Sequence, residues 1–316
     1  MNKLIQLSKM TKVVADTGDI DQIKQFKPED ATTNPSLLLK AAAMPEYAYL
    51  LDGAIKQTQG LSGVDRINEI MADLAVGFGV EILKTVPGRV STEVDARLSY
   101  DTEATISYAR DLIQRYAKKG IDKQRVLIKI ASTWEGIEAA KVLEKEDIHC
   151  NLTLMFNIAQ AVACAEGGIT LISPFVGRIT DWYKKALGQN DFPAVSEDEG
   201  VLSVKEIYAY YKRFGFKTTV MGASFRHVGQ VEALAGCDAL TIAPNLLSEL
   251  ESDESNLPQC LKAEDIDQSI EKIDASESSF RWLMSEDAMA TEKLAEGIRN
   301  FAVDTRKLED MISKKI

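Results

Sequence analysis

Histidine is almost missing from this chain. Its 316 residues contain two, His149 and His227, and neither falls in a ligand-spaced cluster, so a transition-metal centre built on imidazoles is not expected. Cysteine is scarce as well: Cys150, Cys164, Cys237 and Cys260 lie far apart, with no C-x-x-C pair. That pattern argues against a disulfide framework or a zinc site and fits reduced thiols in a cytoplasmic protein. No stretch approaches about 18 uninterrupted apolar residues, so no membrane-spanning helix is expected. Residues 1–9 carry too short an apolar segment for a secretion signal. Basic residues are outnumbered, 37 Lys and Arg against 48 Asp and Glu, for a net charge of -11. The basic footprint of a nucleic-acid binder is therefore missing, although an anionic small substrate needs only local arginines. No G-x-G-x-x-G follows a strand-like segment, so dinucleotide binding lacks its fingerprint. Neither a cofactor nor a metal is expected.

What the chain does contain is a regular alternation. Short apolar, branched segments at 13–16, 31–34, 90–95, 126–131, 149–154, 170–175, 218–224 and 239–243 have the length of strands. Helical patterns separate them. At 105–118, Ile106, Ala109, Ile113 and Tyr116 make one stripe, with Gly120 as a stop. At 203–214, Val204, Ile207, Tyr208 and Tyr211 repeat at helical spacing, and the gap 35–88 has room for at least two helices. Eight strands alternating with helices, at about 40 residues per unit, predict an α/β fold: a (β/α)8 TIM barrel. No repeat or low-complexity linker divides residues 1–316, which reads as a single barrel domain. Additional helices are expected at both ends. One, around Leu4, Ile5, Leu7 and Met10, would cover a barrel end. The other spans 285–312, where Leu294, Ile298, Phe301, Leu308 and Ile312 form a stripe suited to packing on the chain's own barrel. The acidic stretch 245–277 reads as irregular.

The most informative single residue is Lys129, inside the apolar run Val126-Leu127-Ile128-Lys129-Ile130-Ala131. Strand side chains alternate faces, so Lys129 shares a side with Leu127 and Ala131. Burial disfavours an ammonium relative to a neutral amine, and a neutral amine is a nucleophile able to form a Schiff base. The alternative is a lysine whose stem packs while its head reaches water. Other polar residues collect at the strand ends, where a β/α barrel gathers its chemistry. Asp16 ends the first strand, and Thr32 and Asn34 stand on the second. Ser91, Glu93 and Asp95 stand on the third, Asn151 and Thr153 on the fifth, and Ser173 on the sixth. Arg178 lies just past the sixth, and Ser224 and Arg226 close the seventh. Each alone has an ordinary explanation; Asn34-Pro35, for one, could simply begin a helix. As a set they would put polar groups on the inner face of most strands, where each unpaired one costs about 1–3 kcal/mol.

The segments carrying these residues resemble the transaldolase family. They are VVADTGD from Val13, ATTNPSL from Ala31, GRVSTEVDAR from Gly88 and IKIASTWEG from Ile128. Then come NLTL from Asn151, ISPFVGR from Ile172 and MGASFR from Met221. The resemblance covers nearly the whole chain, with the motifs in the family's order.

The resemblance implies reversible transfer of a dihydroxyacetone unit between sugar phosphates in the non-oxidative pentose phosphate pathway. Sedoheptulose 7-phosphate and fructose 6-phosphate would be donors, and glyceraldehyde 3-phosphate and erythrose 4-phosphate acceptors. It implies Lys129 as the Schiff-base residue and Asp16 as the base at C–C cleavage. Glu93 would shuttle protons through a water held with Thr153. Asn34, Asn151 and Ser173 would bind the three-carbon unit, and Arg178, Ser224 and Arg226 the phosphate. It also implies a homodimer. A fructose 6-phosphate aldolase is the nearest alternative; that relative is usually shorter and carries glutamine where this chain has Glu93. A non-catalytic sugar-phosphate sensor on the same barrel could dispense with Lys129 and Glu93.

Overall fold

The computed structural model describes residues 1–316. Eight strands pair in sequence order, all parallel: β1 (Lys12–Asp16), β2 (Asp30–Thr32), β3 (Val90–Glu93), β4 (Val126–Ala131), β5 (Cys150–Met155), β6 (Leu171–Pro174), β7 (Thr219–Gly222) and β8 (Ala239–Ile242). β1 pairs with β8, so the sheet closes into the expected barrel. The connecting helices are α2 (Ile20–Phe26), α3 (Pro35–Ala42), α4 (Ala48–Gln57), α5 (Gly63–Leu83), α6 (Thr102–Lys118), α7 (Trp134–Lys145), α8 (Ile158–Glu166), α9 (Gly177–Ala186), α10 (Glu199–Phe214) and α11 (Val228–Glu232). Flanking them are α1 (Lys3–Leu7), α12 (Pro244–Ser252), α13 (Glu277–Glu286) and α14 (Ala288–Ser313).

Alternation along the strands sets the two faces. Val13, Ala15, Ile128, Ile130, Leu152, Ile172, Leu240 and Ile242 face outward and join the helices in one core cluster of 82 buried residues. Inward, Val14, Leu127, Leu171, Met221 and Ala239 form a separate apolar plug toward the strand beginnings. Two residues further on, the same inner faces turn polar. Val14 gives way to Asp16, Leu127 to Lys129, Leu171 to Ser173 and Ala239 to Thr241. The barrel is thus a dry floor beneath a polar chamber.

Most helices start on side-chain caps. Asp101 accepts from the backbone N–H of Ala104, which begins α6 at Thr102, four residues before the apolar stripe does. Asp198 likewise begins α10 at Glu199, and Gly215, at φ 69°, ends it in the left-handed region open to glycine. α1 forms as expected and packs against α12 at the end where the strands begin, with Lys3 bridging Glu232 at 2.8 Å and Asp253 at 2.7 Å.

Three expectations need correction. The stretch 245–277 is not irregular from its start, because α12 occupies Pro244–Ser252 and buries Leu246, Leu247 and Leu250. Pro244 sits at the first turn, where its missing N–H costs nothing. The tail is two helices, broken where Asp287 caps α14 through the Ala290 N–H. Asn34, Asp95 and Ser224 stand beyond their strands rather than in them. Asp95 caps a 3-10 turn at Ala96–Leu98 and pairs with Arg97, which takes it out of the inner row.

α14 lies on its own barrel, against α3, α5, α9 and β5, with Phe301, Leu308 and Ile312 buried. No helix is long and apolar enough to cross a membrane.

Candidate active site

Lys129 projects into the polar chamber and is 5% exposed. Its head does not reach bulk solvent, so the snorkelling alternative fails. Its Nζ lies 3.3 Å from the Thr33 carbonyl oxygen, to which it donates, and 3.4 Å from Glu93 Oε2. Glu93 and Lys129 are register partners on β3 and β4. The contact lies outside hydrogen-bond geometry, which leaves Glu93 Oε2 with an unused acceptor position. Thr153, in register with Ala131 two residues along from Lys129, also presents a buried hydroxyl with no partner.

Asp16 approaches from β1, and Thr32 Oγ1 donates to its Oδ1 at 3.2 Å. Both acids titrate high. Burial is the main cause for Asp16 and for Glu93, and the positive charges of Lys129 and Arg178 only partly offset it. A carboxyl lifted toward neutrality can hold a proton and release it again.

Asn151 and Ser173 are tied together beside Lys129. Ser173 Oγ donates to Asn151 Oδ1 at 2.6 Å, and Asn151 Nδ2 donates to Ser91 Oγ at 3.0 Å. Asn34 does two things. Its Oδ1 caps α3 by accepting from the Leu37 N–H at 2.9 Å, as its sequence context allowed. That bond fixes the side chain at the rim and leaves its amide nitrogen without a protein partner.

The two arginines differ. Arg178, in the first turn of α9, lies between the rings of Phe175 and Phe301, 4.8 Å and 5.6 Å from their centroids, and forms no ion pair. Burial, and then the nearby Arg226 charge, push its guanidinium below the ordinary arginine range. Arg226 is held by Asp181, whose Oδ2 accepts from Nε at 3.0 Å and from Nη2 at 2.7 Å. Its Nη1 turns toward the carbonyl and hydroxyl of Ser224 at 3.3 Å and 3.4 Å. Ser224 adopts φ 62°, a left-handed conformation rare outside glycine. Gly177 makes this packing feasible, because a Cβ there would stand 2.4 Å from the Ser224 carbonyl oxygen and 2.7 Å from Arg226 Cγ.

The structure thus brings all ten singled-out residues to one end of the barrel. Sequence reasoning missed Thr33 and Asp181 as neighbours of the site and Gln160 as a buried cap behind it. Asp181 follows Arg178 by three on α9, a legible spacing once Arg226 is known to be close. Gln160 is signalled by the N-x-x-Q pattern of Asn157 and Gln160 at the start of α8. Thr33 acts through its backbone, which no residue type announces. A cavity of about 510 Å³ lies outward of Glu93 among α3, α5, α6 and α14 and meets the chamber at Asn34 and Glu93 without reaching Lys129. Both its arginines, Arg97 and Arg115, are already paired with carboxylates, so the chemistry points to the barrel mouth instead.

A buried lysine flanked by two high-titrating acids, below a pair of arginines, is an arrangement with known relatives. The profile of the transaldolase/fructose-6-phosphate aldolase family matches residues 13–312. The chain belongs to that family. A transaldolase of Alteromonas mediterranea is 58% identical, over 100% of this chain and 99% of its own. One from Vibrio cholerae is 59% identical, over 100% of this chain and 99% of its own. A probable transaldolase of Drosophila melanogaster is 57% identical, over 99% of this chain and 95% of its own. The sensor alternative loses its footing, since full-length relatives at this identity are transaldolases.

Proposed function

We propose that Lys129, Asp16, Glu93 and Thr153 carry out a Schiff-base transaldolase reaction on sugar phosphates bound through Asn34, Asn151, Ser173, Arg178, Ser224 and Arg226. Transaldolase activity itself follows from the family match and the full-length relatives. The observation that carries the residue assignment is a pair of orphans. Glu93 Oε2 and Thr153 Oγ1 are both buried without a hydrogen-bond partner, on the two strands flanking Lys129's. Each such group costs about 1–3 kcal/mol, a cost that makes sense where a water or substrate hydroxyl completes the set.

In this reading neutral Lys129 Nζ adds to the C2 carbonyl of the ketose. Glu93, through water on Thr153, delivers the proton that lets the carbinolamine oxygen leave as water. The iminium then accepts the electron pair of the C3–C4 bond while Asp16 removes the C4 hydroxyl proton, and an aldose departs. Asn151, Ser173 and Asn34 hold the three-carbon enamine until an acceptor aldehyde restores the bond and the steps reverse. The donors are sedoheptulose 7-phosphate and fructose 6-phosphate, and the acceptors glyceraldehyde 3-phosphate and erythrose 4-phosphate. The unpaired guanidinium of Arg178 supports phosphate recognition, since charge-assisted bonds to phosphate are strong. The free thiols of Cys150, Cys164, Cys237 and Cys260 support a cytoplasmic location. The continuous core supports one domain over residues 1–316. A homodimer completes the proposal, on family resemblance alone.

Borohydride reduction with fructose 6-phosphate should leave its mass adduct on the peptide containing Lys129, and the ketose should turn over far faster with acceptor aldehyde present. An adduct on another lysine would remove the assignment. Cleavage at the same rate without acceptor would instead indicate an aldolase.

A further inference from the structure

We infer that Gln160 is a positioning residue for the Thr153 hydroxyl, a role resting on the proton-relay reading above. Gln160 is fully buried in the first turn of α8, behind the strand rather than in the chamber. Its carboxamide uses all four of its hydrogen-bonding positions on backbone. Oε1 accepts from the N–H groups of Phe156 at 2.7 Å and Asn157 at 3.2 Å. Nε2 donates to the carbonyls of Ser132 at 2.8 Å and Leu154 at 3.1 Å.

A helix cap accounts for the bond to Asn157, because Asn157 and Gln160 form a reciprocal capping box, and the Phe156 N–H joins it on the same oxygen. The donor pair has no such explanation. Ser132 follows the end of β4 and Leu154 lies in β5, so the donor half of this side chain staples two adjacent strands at the chamber rim.

The staple falls where β5 departs from regularity. Between β5 and β6 the register passes from Leu152 with Ile172 to Met155 with Pro174, three residues against two. Leu154 is the extra residue, at φ 54°, a left-handed conformation unfavourable for a side chain with a Cβ. Such bulges re-aim the neighbouring side chains and persist only where the surroundings over-determine them. Here the peptide groups on both sides of the bulge are held. The Thr153 carbonyl accepts from both the N–H and the Oγ of Ser132, each at 2.8 Å. The Ser132 and Leu154 carbonyls are both bound by Gln160. The ring Gln160–Ser132–Thr153–Leu154 therefore fixes the backbone that carries Thr153. Its hydroxyl is left buried, unpartnered and facing the chamber.

Gln160→Glu isolates the staple, because it keeps an acceptor for the cap and loses the amide that donates to both carbonyls. Borohydride-trapped imine on Lys129 should form on the order of 10-fold more slowly, a partial loss of a general acid–base contribution. KM for fructose 6-phosphate should stay within about twofold, since residues acting independently of the arginines leave binding unchanged. The decisive measurement is the double-mutant cycle with Thr153→Ala: if Gln160 acts through Thr153, Gln160→Glu adds no further slowing to Thr153→Ala. Slowing that multiplies in the double variant, or a trapping rate in Gln160→Glu equal to the native one, overturns the inference while leaving the relay reading intact. Native-rate trapping by Thr153→Ala alone overturns both. Should Gln160→Glu not fold, Ser132→Ala, which deletes one bond of the same ring, must show a slowing that Thr153→Ala likewise absorbs.

Discussion

Replacing Arg178 by methionine should separate binding from stability. In the protein without substrate this guanidinium has two aromatic faces and no carboxylate. Each face is worth about 0.5–1 kcal/mol when exposed and about 2 when desolvated. Against that stand burial and the like charge of Arg226, which together hold the guanidinium below its ordinary titration range. Methionine keeps apolar contact with Phe175 and Phe301 and removes the charge. Because these effects oppose one another, the unliganded protein should change stability by no more than about 1 kcal/mol. Binding should change far more. A charge-assisted bond contributes about 1.5–3 kcal/mol, or roughly 10- to 150-fold in affinity. KM for fructose 6-phosphate should rise by that factor, while KM for unphosphorylated fructose stays within about threefold. Thermal unfolding provides a second readout, because a ligand present at 100 times its Kd adds about 2.7 kcal/mol to stability. At the same fructose 6-phosphate concentration the variant should lose most of the native upward shift. Equal KM increases for both sugars, or a variant losing several kcal/mol without ligand, would show that Arg178 serves packing rather than phosphate.

Glu93→Gln should be more stable than the native protein and much less active. Burial raises the Glu93 carboxyl above its ordinary value of 4.5, so the folded state retains a proton that the unfolded chain has released. Stability from this group is full below about 4.5 and is lost as pH rises through the raised value. The thermal advantage of the variant should thus grow from pH 5 to pH 8, and a gap that shrinks over that range contradicts the sign. Its imine formation should slow about 10²- to 10⁴-fold. Asp16→Asn should still form the imine but stall afterwards, so borohydride should trap the intact six-carbon phosphate. Trapping of the three-carbon unit at the native rate would clear Asp16 of the cleavage role.

The barrel was legible because its two periodicities are strong. Branched apolar runs at the expected spacing marked all eight strands, and the inner polar row followed from polar residues at the strand ends, paired by counting in twos along each strand. What was not legible has separate causes. Asp95 looked like a third member of the row Ser91 and Glu93 began, but its oxygen met the Arg97 N–H first and ended the strand. α12 was masked by the acidic composition of its surroundings, although Leu246, Leu247 and Leu250 carried a helical pattern. The difference between Arg178 and Arg226 could not be read at all, because it depends on Asp181 for one and on Phe301, from the far end of the chain, for the other.

That last contact joins distant parts of the chain. The strand that closes the barrel, β8, ends at Ile242, whereas Phe301 and Gly297 belong to α14. Gly297 admits α14 close to Leu154, where a Cβ would stand 2.6 Å from a leucine methyl, and Phe301 supplies one of the rings around Arg178. A chain emerging from the ribosome can close its sheet while one of the two rings around Arg178 is still untranslated. The setting of Arg178 is therefore completed by the last helix of the chain and not by the barrel that carries it.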